Sequence, residues 1–384
     1  MNLLEQNTMT KFSFFFFLFL SFYSFAQDNP NSKKDDFDKS IYSAMDKTAE
    51  SFLEKSGSNS VSIAVVKNKK KYIKHYGELD KGKAARATEQ TLFEIGSTTK
   101  VFTGTLMAKA VLENKIGLED DIRKYLNGDF PKLEFQGKPI KIKDLLVHRS
   151  GIQTPFPITK EIREKHAVDS FLFYKNRLDK SYTKELFLSD LHKVKIDSLP
   201  GTGYKYGALG PELCAYILEN VYKKSYEDLL DKEIFKKAGM KSTKLRLGNN
   251  EVLANGYNAK GNVMEPLTIS IWGASKFLKS TVDDLSKYMK FELDLDNKVV
   301  VESHRKVYSN INMGYFWDLI VDHKGNTNYI KDGGSNGTSN ILKIFPKYNL
   351  GILIIANQND KNTGADIEDA LSKLEKTLDN SNPR

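Results

Sequence analysis

The chain has 384 residues, 40% of them hydrophobic and 28% charged, which is globular composition with length enough for one large or two ordinary domains. Its 58 basic residues exceed 49 acidic ones for a net charge of +9, but the lysines are scattered and run together only briefly, as at Lys69-Lys70-Lys71. With no basic stripe or binding motif, this surplus argues against a nucleic-acid partner and for a solvated surface.

Residues 1–26 read as a targeting segment. Lys11 precedes an apolar run from Phe12 to Leu20, and Ser24-Phe25-Ala26 leaves a small residue before an expected cut at Gln27. The run is short for a membrane span. The expectation is an exported protein, periplasmic or secreted, that meets a membrane only if this segment is left uncleaved. No cysteine follows the run, so a lipid-modified N-terminus is not expected.

Residues 27–39 are polar and expected to be a disordered lead-in. From there a single domain is expected over 40–378, followed by a short tail, 379–384. Ile41, Met45, Phe52 and Leu53 recur at helical spacing. Val61 to Val66 and Tyr72 to Gly77 read as strands joined by a turn at Asn68, a hairpin. From about residue 117 to 271 the pattern becomes short helices between polar loops, an inserted helical lobe. Ser280-Thr281-Val282-Asp283-Asp284 is a helix start with acids in its first turn. Ile341–Phe345 and Leu350–Ile355 read as strands, and Ile367–Leu378 as an amphipathic helix. Strands at both ends with helices between them predict an α/β (α+β) fold: one antiparallel sheet flanked by helices, plus the inserted lobe.

The chemistry centres on Phe93-Glu94-Ile95-Gly96-Ser97-Thr98-Thr99-Lys100. Ser97 and Lys100 are three residues apart, hence on one face of the helix that follows. A hydroxyl, an amine within reach and a helix N-terminus that favours negative charge are the parts of an acyl-transfer site. The Ser-x-x-Lys spacing occurs three times in this lysine-rich chain. Ser181/Lys184 lies in a polar helix start and Ser303/Lys306 on a charged surface. Only Ser97 opens a helix apolar on most faces, which is buried. Burial lowers a lysine's pKa and leaves an amine able to take a proton.

Gly333-Gly334-Ser335-Asn336-Gly337 fits the Gly-x-Ser-x-Gly elbow, but that turn needs a helix after its serine and a downstream histidine. A strand-like segment follows Ser335 and the last histidine is His323, so the elbow is set aside. The six histidines show no metal-ligand spacing, and neither metal nor cofactor is expected. The single cysteine, Cys214, sits in an apolar helical stretch and reads as a small buried side chain.

The Ser97 segment resembles the nucleophile motif of serine β-lactamases of the class C type and of related penicillin-binding DD-peptidases and esterases. Further segments match in order: Leu145-Leu146-Val147-His148-Arg149-Ser150-Gly151, then Pro200 to Gly210 with Tyr206 at the position of the Tyr-x-Asn motif, then Lys331-Asp332-Gly333-Gly334 at that of Lys/His-Thr-Gly. The resemblance covers about residues 40–378. It implies that Ser97 forms an acyl-enzyme, that Lys100 takes its proton, and that Tyr206 is the partner base, with phenolate character favoured by Lys100 and Lys331. Backbone N–H groups of Ser97 and Gly334, next to Gly333, would form the oxyanion hole. His148 would brace a loop; Trp272 would line the cleft or fill the core.

Two departures bear on the substrate. Ala208 stands where the family has asparagine, and Asp332 where it has threonine. Unless it is protonated or turned towards Lys331, an Asp332 about 4 Å from a substrate carboxylate repels it by roughly 4 kcal/mol at an effective dielectric near 20. β-Lactams and D-Ala-D-Ala peptides carry such a carboxylate. The expected partner is therefore a small-molecule or peptide substrate with an uncharged ester or amide. A true β-lactamase or DD-carboxypeptidase is the alternative enzyme, and a degenerate cell-wall peptide binder the alternative of another class.

Overall fold

The computed structural model describes residues 30–152, 164 and 168–380. The expected signal segment, the last residues of the tail and most of the stretch 153–167 lie outside the described residues. The chain divides into two units, residues 1–39 and 40–384, and the site lies in the second. Helix α1 (Pro30–Ser56) already begins in the first. The lead-in expected to be disordered over 27–39 is thus helical from Pro30 onward.

Along the chain come β1 (Ser60–Lys67), β2 (Lys70–Gly77), the two-residue strands β3 (Phe93–Glu94), β4 (Glu134–Phe135), β5 (Lys138–Pro139), β6 (Gly256–Tyr257), β7 (Val263–Met264) and β8 (Lys279–Ser280), then β9 (Asp318–Val321), β10 (Thr327–Gly334), β11 (Ser339–Phe345) and β12 (Leu350–Ala356). The helices after α1 are α2 (Thr99–Leu112), α3 (Ile142–Leu146), α4 (Val168–Ser181), α5 (Lys184–Leu191), α6 (Leu209–Tyr222), α7 (Tyr226–Leu230), α8 (Lys236–Ala238), α9 (Val282–Glu292), α10 (Lys298–His304) and α11 (Thr363–Asn380).

Six strands form one antiparallel sheet in the order β2-β1-β12-β11-β10-β9, so both ends of the domain meet where β1 pairs with β12. That central pair is built from β-branched and aliphatic residues buried along their whole length, as strands covered on both faces require. On one face Ala64, Val66, Leu342, Ile344, Leu353 and Ile355 join the main core with α2 and α9. The other face is covered by α11, whose buried Ile367, Leu371, Leu374 and Leu378 follow a helical stripe. Lys55 of α1 ties to Asp366 and Asp369 of α11 at 3.0 and 3.1 Å.

The insertion carries α3 to α8 as expected, and in addition the ribbons β4–β5 and β6–β7, so it is helical with two short ribbons. α2 runs through the core with eleven of its fourteen residues buried. Such a helix has no solvent face, and this holds the residues at its N-terminus in a fixed place above the sheet.

Candidate active site

Ser97 sits in a single 3-10 turn, Gly96–Thr98, between the short strand β3 and α2. Gly96 has φ +52°, a conformation that costs a side-chain-bearing residue, and a Cβ there would strike the backbone of Gly334. A Cβ on Gly333 would likewise strike the Ile95 carbonyl. The glycines let the serine turn press directly on the end of β10. Three buried bonds lock the contact: Thr98 Oγ1 donates to Asn340 Oδ1 at 2.7 Å, and Asn340 Nδ2 donates to the carbonyls of Ile95 at 3.1 Å and Gly333 at 3.2 Å. Ser97 and Gly334 thereby share one edge of the site, as the oxyanion-hole expectation needs.

Lys100 lies in the first turn of α2, 3% exposed. Its Nζ donates to Ser97 Oγ at 3.0 Å and to the Ser275 carbonyl at 2.7 Å. Burial holds this amine well below the ordinary lysine range, with the charges of Lys331 and Lys276 pushing the same way and Glu212 and Asp332 opposing. The group beside the serine hydroxyl is an amine whose burial favours the uncharged form.

Tyr206 comes from the loop before α6. That loop hangs on the segment after α3: Gly201 N–H donates to Arg149 O and Lys205 N–H to His148 O, both at 2.8 Å. The His148 ring packs against Tyr206 at 4.6 Å between centroids. Burial holds its imidazole at about 3, so it is neutral and braces the loop. The Tyr206 ring lies between both lysines, 4.8 Å from Lys100 Nζ and 5.6 Å from Lys331 Nζ. The expected phenolate character is not borne out. Although Tyr206 is 48% exposed, desolvation raises the phenol's pKa, and the lowering by Lys331 and by a hydrogen bond with Ser97 does not offset it. Of the two groups, Lys100 is the one whose shift favours a free base and Tyr206 the one whose shift favours keeping its proton.

Lys331 is buried on β10, and its ammonium bonds Asp332 Oδ1 at 2.9 Å and Asp318 Oδ2 at 3.5 Å. Burial works against its charge, but Tyr206 once ionised, Asp332 and Asp318 outweigh burial and hold its pKa above the ordinary range. Desolvation opposes the Asp332 carboxylate only weakly, its side chain being 71% exposed, and Lys331 prevails, keeping it ionised. Asp332 is turned towards Lys331, the arrangement that lifts the direct repulsion of a substrate carboxylate expected from the sequence.

Ser97, Lys100, Tyr206, Lys331, Asp332, Gly333 and Gly334 therefore converge. Ala208 is the N-cap residue of α6 and makes no side-chain cap. With His148 and Tyr206 it lines a cavity of about 60 Å³. Trp272 fills the core, 3% exposed, its Nε1 donating to Glu219 Oε2 at 2.6 Å. Cys214 is buried, as expected. Ser335 is followed by a turn and β11, not a helix. Ser303 is buried in α10, with its hydroxyl on Val300 O, and not on a charged surface; its helix packs that face inward.

Three residues at the site escape sequence reasoning: Asp318, Ser275 and Glu212. Only Glu212 left a signal, an acid inside the apolar run Leu209-Gly210-Pro211-Glu212-Leu213-Cys214-Ala215.

The family model described as Beta-lactamase matches residues 45–375. Protein flp of Staphylococcus aureus strain N315 is 29% identical over 337 residues, 83% of this chain and 63% of that protein, so the chain spans less than two thirds of that relative's length. The octameric penicillin-binding protein homologue from Pyrococcus abyssi shares the fold with a TM-score of 0.72 at 23% identity, over 88% of this chain and 77% of that one. A class C beta lactamase from Rhodobacter sphaeroides gives a TM-score of 0.69 at 19% identity, over 87% and 99%.

Proposed function

The chain belongs to the Beta-lactamase family, a fold of serine hydrolases, and from that premise we propose that it is an exported hydrolase that cleaves an uncharged ester or amide through an acyl-enzyme on Ser97. The observation that carries this reading is the 3.0 Å bond between Ser97 Oγ and the amine of Lys100, which is buried and thereby favoured in its uncharged form. Export rests on the N-terminal pattern of Lys11, the apolar run and Ala26 alone.

In acylation, Oγ bonds to the substrate carbonyl carbon while its proton passes to Lys100 Nζ. The carbonyl oxygen takes up negative charge against the N–H groups of Ser97 and Gly334. Collapse breaks the bond to the leaving group, which receives the proton held by Lys100 through the Tyr206 hydroxyl. Water then attacks the acyl carbon, giving its proton back along the same path and releasing Ser97. Removing one oxyanion donor from such a site typically costs about 3 kcal/mol of barrier.

The preference for an uncharged substrate follows from Lys331. Its ammonium already meets two carboxylates, so it has no free charge for a substrate carboxylate. A fluorophosphonate probe should label the wild type and not Ser97→Ala; a wild type that stays unlabelled would make the chain a binder. Turnover of p-nitrophenyl butyrate should exceed that of nitrocefin in kcat/KM, and the reverse order would make it a β-lactamase.

A further inference from the structure

Glu212 of α6 is 1% exposed, buried among apolar side chains of the core. Its Oε1 accepts from the Ser275 backbone N–H at 3.0 Å, and among the described residues its Oε2 lacks a donor in good hydrogen-bond geometry, with only the looser approach of the Ser275 hydroxyl and the Ala274 N–H to the carboxyl. A buried carboxyl oxygen left without a donor is costly and rare unless it serves a purpose. Ser275 is the residue whose carbonyl accepts from Lys100 Nζ at 2.7 Å. One peptide segment thus holds the catalytic amine through its C=O and the carboxyl through its N–H. Thr103, one turn beyond Lys100 on α2, bonds the preceding carbonyl, Ala274 O, at 3.0 Å and so fixes the same segment. Position 208 lies on the same face of α6 one turn earlier, and Glu212 N–H donates to its carbonyl at 3.1 Å. That position offers only a methyl, so Glu212 is the first polar side chain along this face of α6.

We propose that Glu212 is a positioning residue for the Ser97 reaction: its carboxylate is the countercharge against which Lys100 becomes an ammonium when it takes the serine proton. This rests on the acyl-enzyme reading. The step needs it physically, because Lys100 is buried and a new charge there is heavily penalised without a partner. Burial brings the Glu212 carboxyl up to about 7, with the Ser275 hydrogen bonds and Lys100 pulling the other way. The group is therefore divided between protonated and ionised forms near neutral pH, and ionises more readily as Lys100 gains charge. Besides Lys100, the titratable group facing Glu212 is Tyr226 of α7, held neutral by burial. Lys100 in turn faces Lys331 and Asp332 of β10, Lys276 and His148.

The test compares wild type with Glu212→Gln in two ways. The first is the titration of Lys100 followed by NMR with ¹³Cε-labelled lysine, assigned with Lys100→Met. The second is the pH profile of p-nitrophenyl butyrate hydrolysis. Without the carboxylate, the Lys100 titration should move to lower pH by a unit or more. The kcat at pH 8 should fall at least tenfold with KM little changed, and the rise in activity near pH 7 should vanish. A glutamine that scales the whole profile uniformly and leaves the Lys100 titration in place overturns the proposal. Glu212→Asp should keep the rise near pH 7 and a Lys100 titration close to wild type; if Glu212→Gln does not fold, the neutral Glu212→Met takes its place, and a Lys100 titration unchanged in it overturns the proposal. A wild type that neither hydrolyses the ester nor takes a fluorophosphonate defeats the hydrolase reading alone, since the Lys100 titration still decides the role of Glu212.

Discussion

Lys331 and Asp332 are consecutive residues of one strand, and yet their side chains form an ion pair of 2.9 Å. Neighbours on a strand ordinarily point to opposite faces. Here the Lys331 side chain is buried and the Asp332 side chain, 71% exposed, folds back over the strand to reach it. Asp318, across the β9–β10 pair, approaches the same ammonium at 3.5 Å.

This pairing sets a substrate preference that one substitution should shift. Asp332→Thr leaves only the longer Asp318 contact on Lys331, and frees the ammonium to meet a substrate carboxylate. A bare pair at about 4 Å is worth about 4 kcal/mol at an effective dielectric near 20. Even a third of that is a factor of ten. The ratio of kcat/KM for nitrocefin to that for p-nitrophenyl butyrate should rise at least tenfold in Asp332→Thr, and further in the double variant with Asp318→Asn. Steady-state kinetics on both substrates checks it.

Lys100→Met should separate catalysis from folding. Methionine fills the same space with no buried amine to desolvate, so the melting temperature should hold within a few degrees although the bonds to Ser97 and Ser275 are lost. The rate of fluorophosphonate labelling should fall by roughly 10²–10⁴, the usual contribution of a positioned base. Labelling rates and thermal melts of the purified variant give both numbers.

Much of this site was legible in the sequence because its parts carry local signals. Ser97 and Lys100 are set by helical spacing and by the apolar helix behind them. The α1, β1–β2, β11–β12 and α11 segments announce themselves by periodicity, and they are the elements that close the sheet. What could not be read is long-range. β9 is four residues long with two of them exposed, so it lacks an alternating pattern, and Asp318 came unnoticed with it. The direction of Asp332 is a rotamer choice made by Lys331. The lowered pKa of Lys100 depends on burial and on a loop at 274–275 that no local pattern ties to α2. The helical lobe was read correctly in outline, while its two-residue ribbons were too short to leave a signal.

Asn340 is the clasp between the serine turn and β10, and its removal should cost both stability and rate. Asn340→Ala leaves the Thr98 hydroxyl and the carbonyls of Ile95 and Gly333 buried without this partner. Each such loss costs about 1–3 kcal/mol, and partial relaxation should bring the total to roughly 3 kcal/mol in urea unfolding. The turn that carries Ser97 should then drift relative to Gly334, with kcat for p-nitrophenyl butyrate falling at least tenfold. Thr98→Val, which removes a single bond, should show a smaller loss of the same kind.

His148 gives the fold a pH dependence of predictable sign. Its ordinary value is 6.5, and burial lowers it to about 3 in the folded protein, with the charges of Lys100 and Lys331 adding to the effect. The unfolded chain therefore binds this proton first. Above about pH 6.5 both states are neutral at His148 and the folded state has its full advantage. As pH falls from there towards 3, the unfolded state gains a proton that the folded state refuses, and stability declines; below 3 the loss is complete. One pKa unit corresponds to about 1.4 kcal/mol, so the whole window is worth on the order of 5 kcal/mol. His148→Asn removes the titration and keeps a polar side chain. Its unfolding free energy should be lower than wild type at pH 7.5 through lost packing on Tyr206. It should then decline less steeply than wild type between pH 6.5 and 4, so that the gap between the two proteins narrows. Urea unfolding of both at half-unit steps of pH measures the two slopes, and parallel slopes would show that His148 carries a proton in the folded protein as readily as in the unfolded chain.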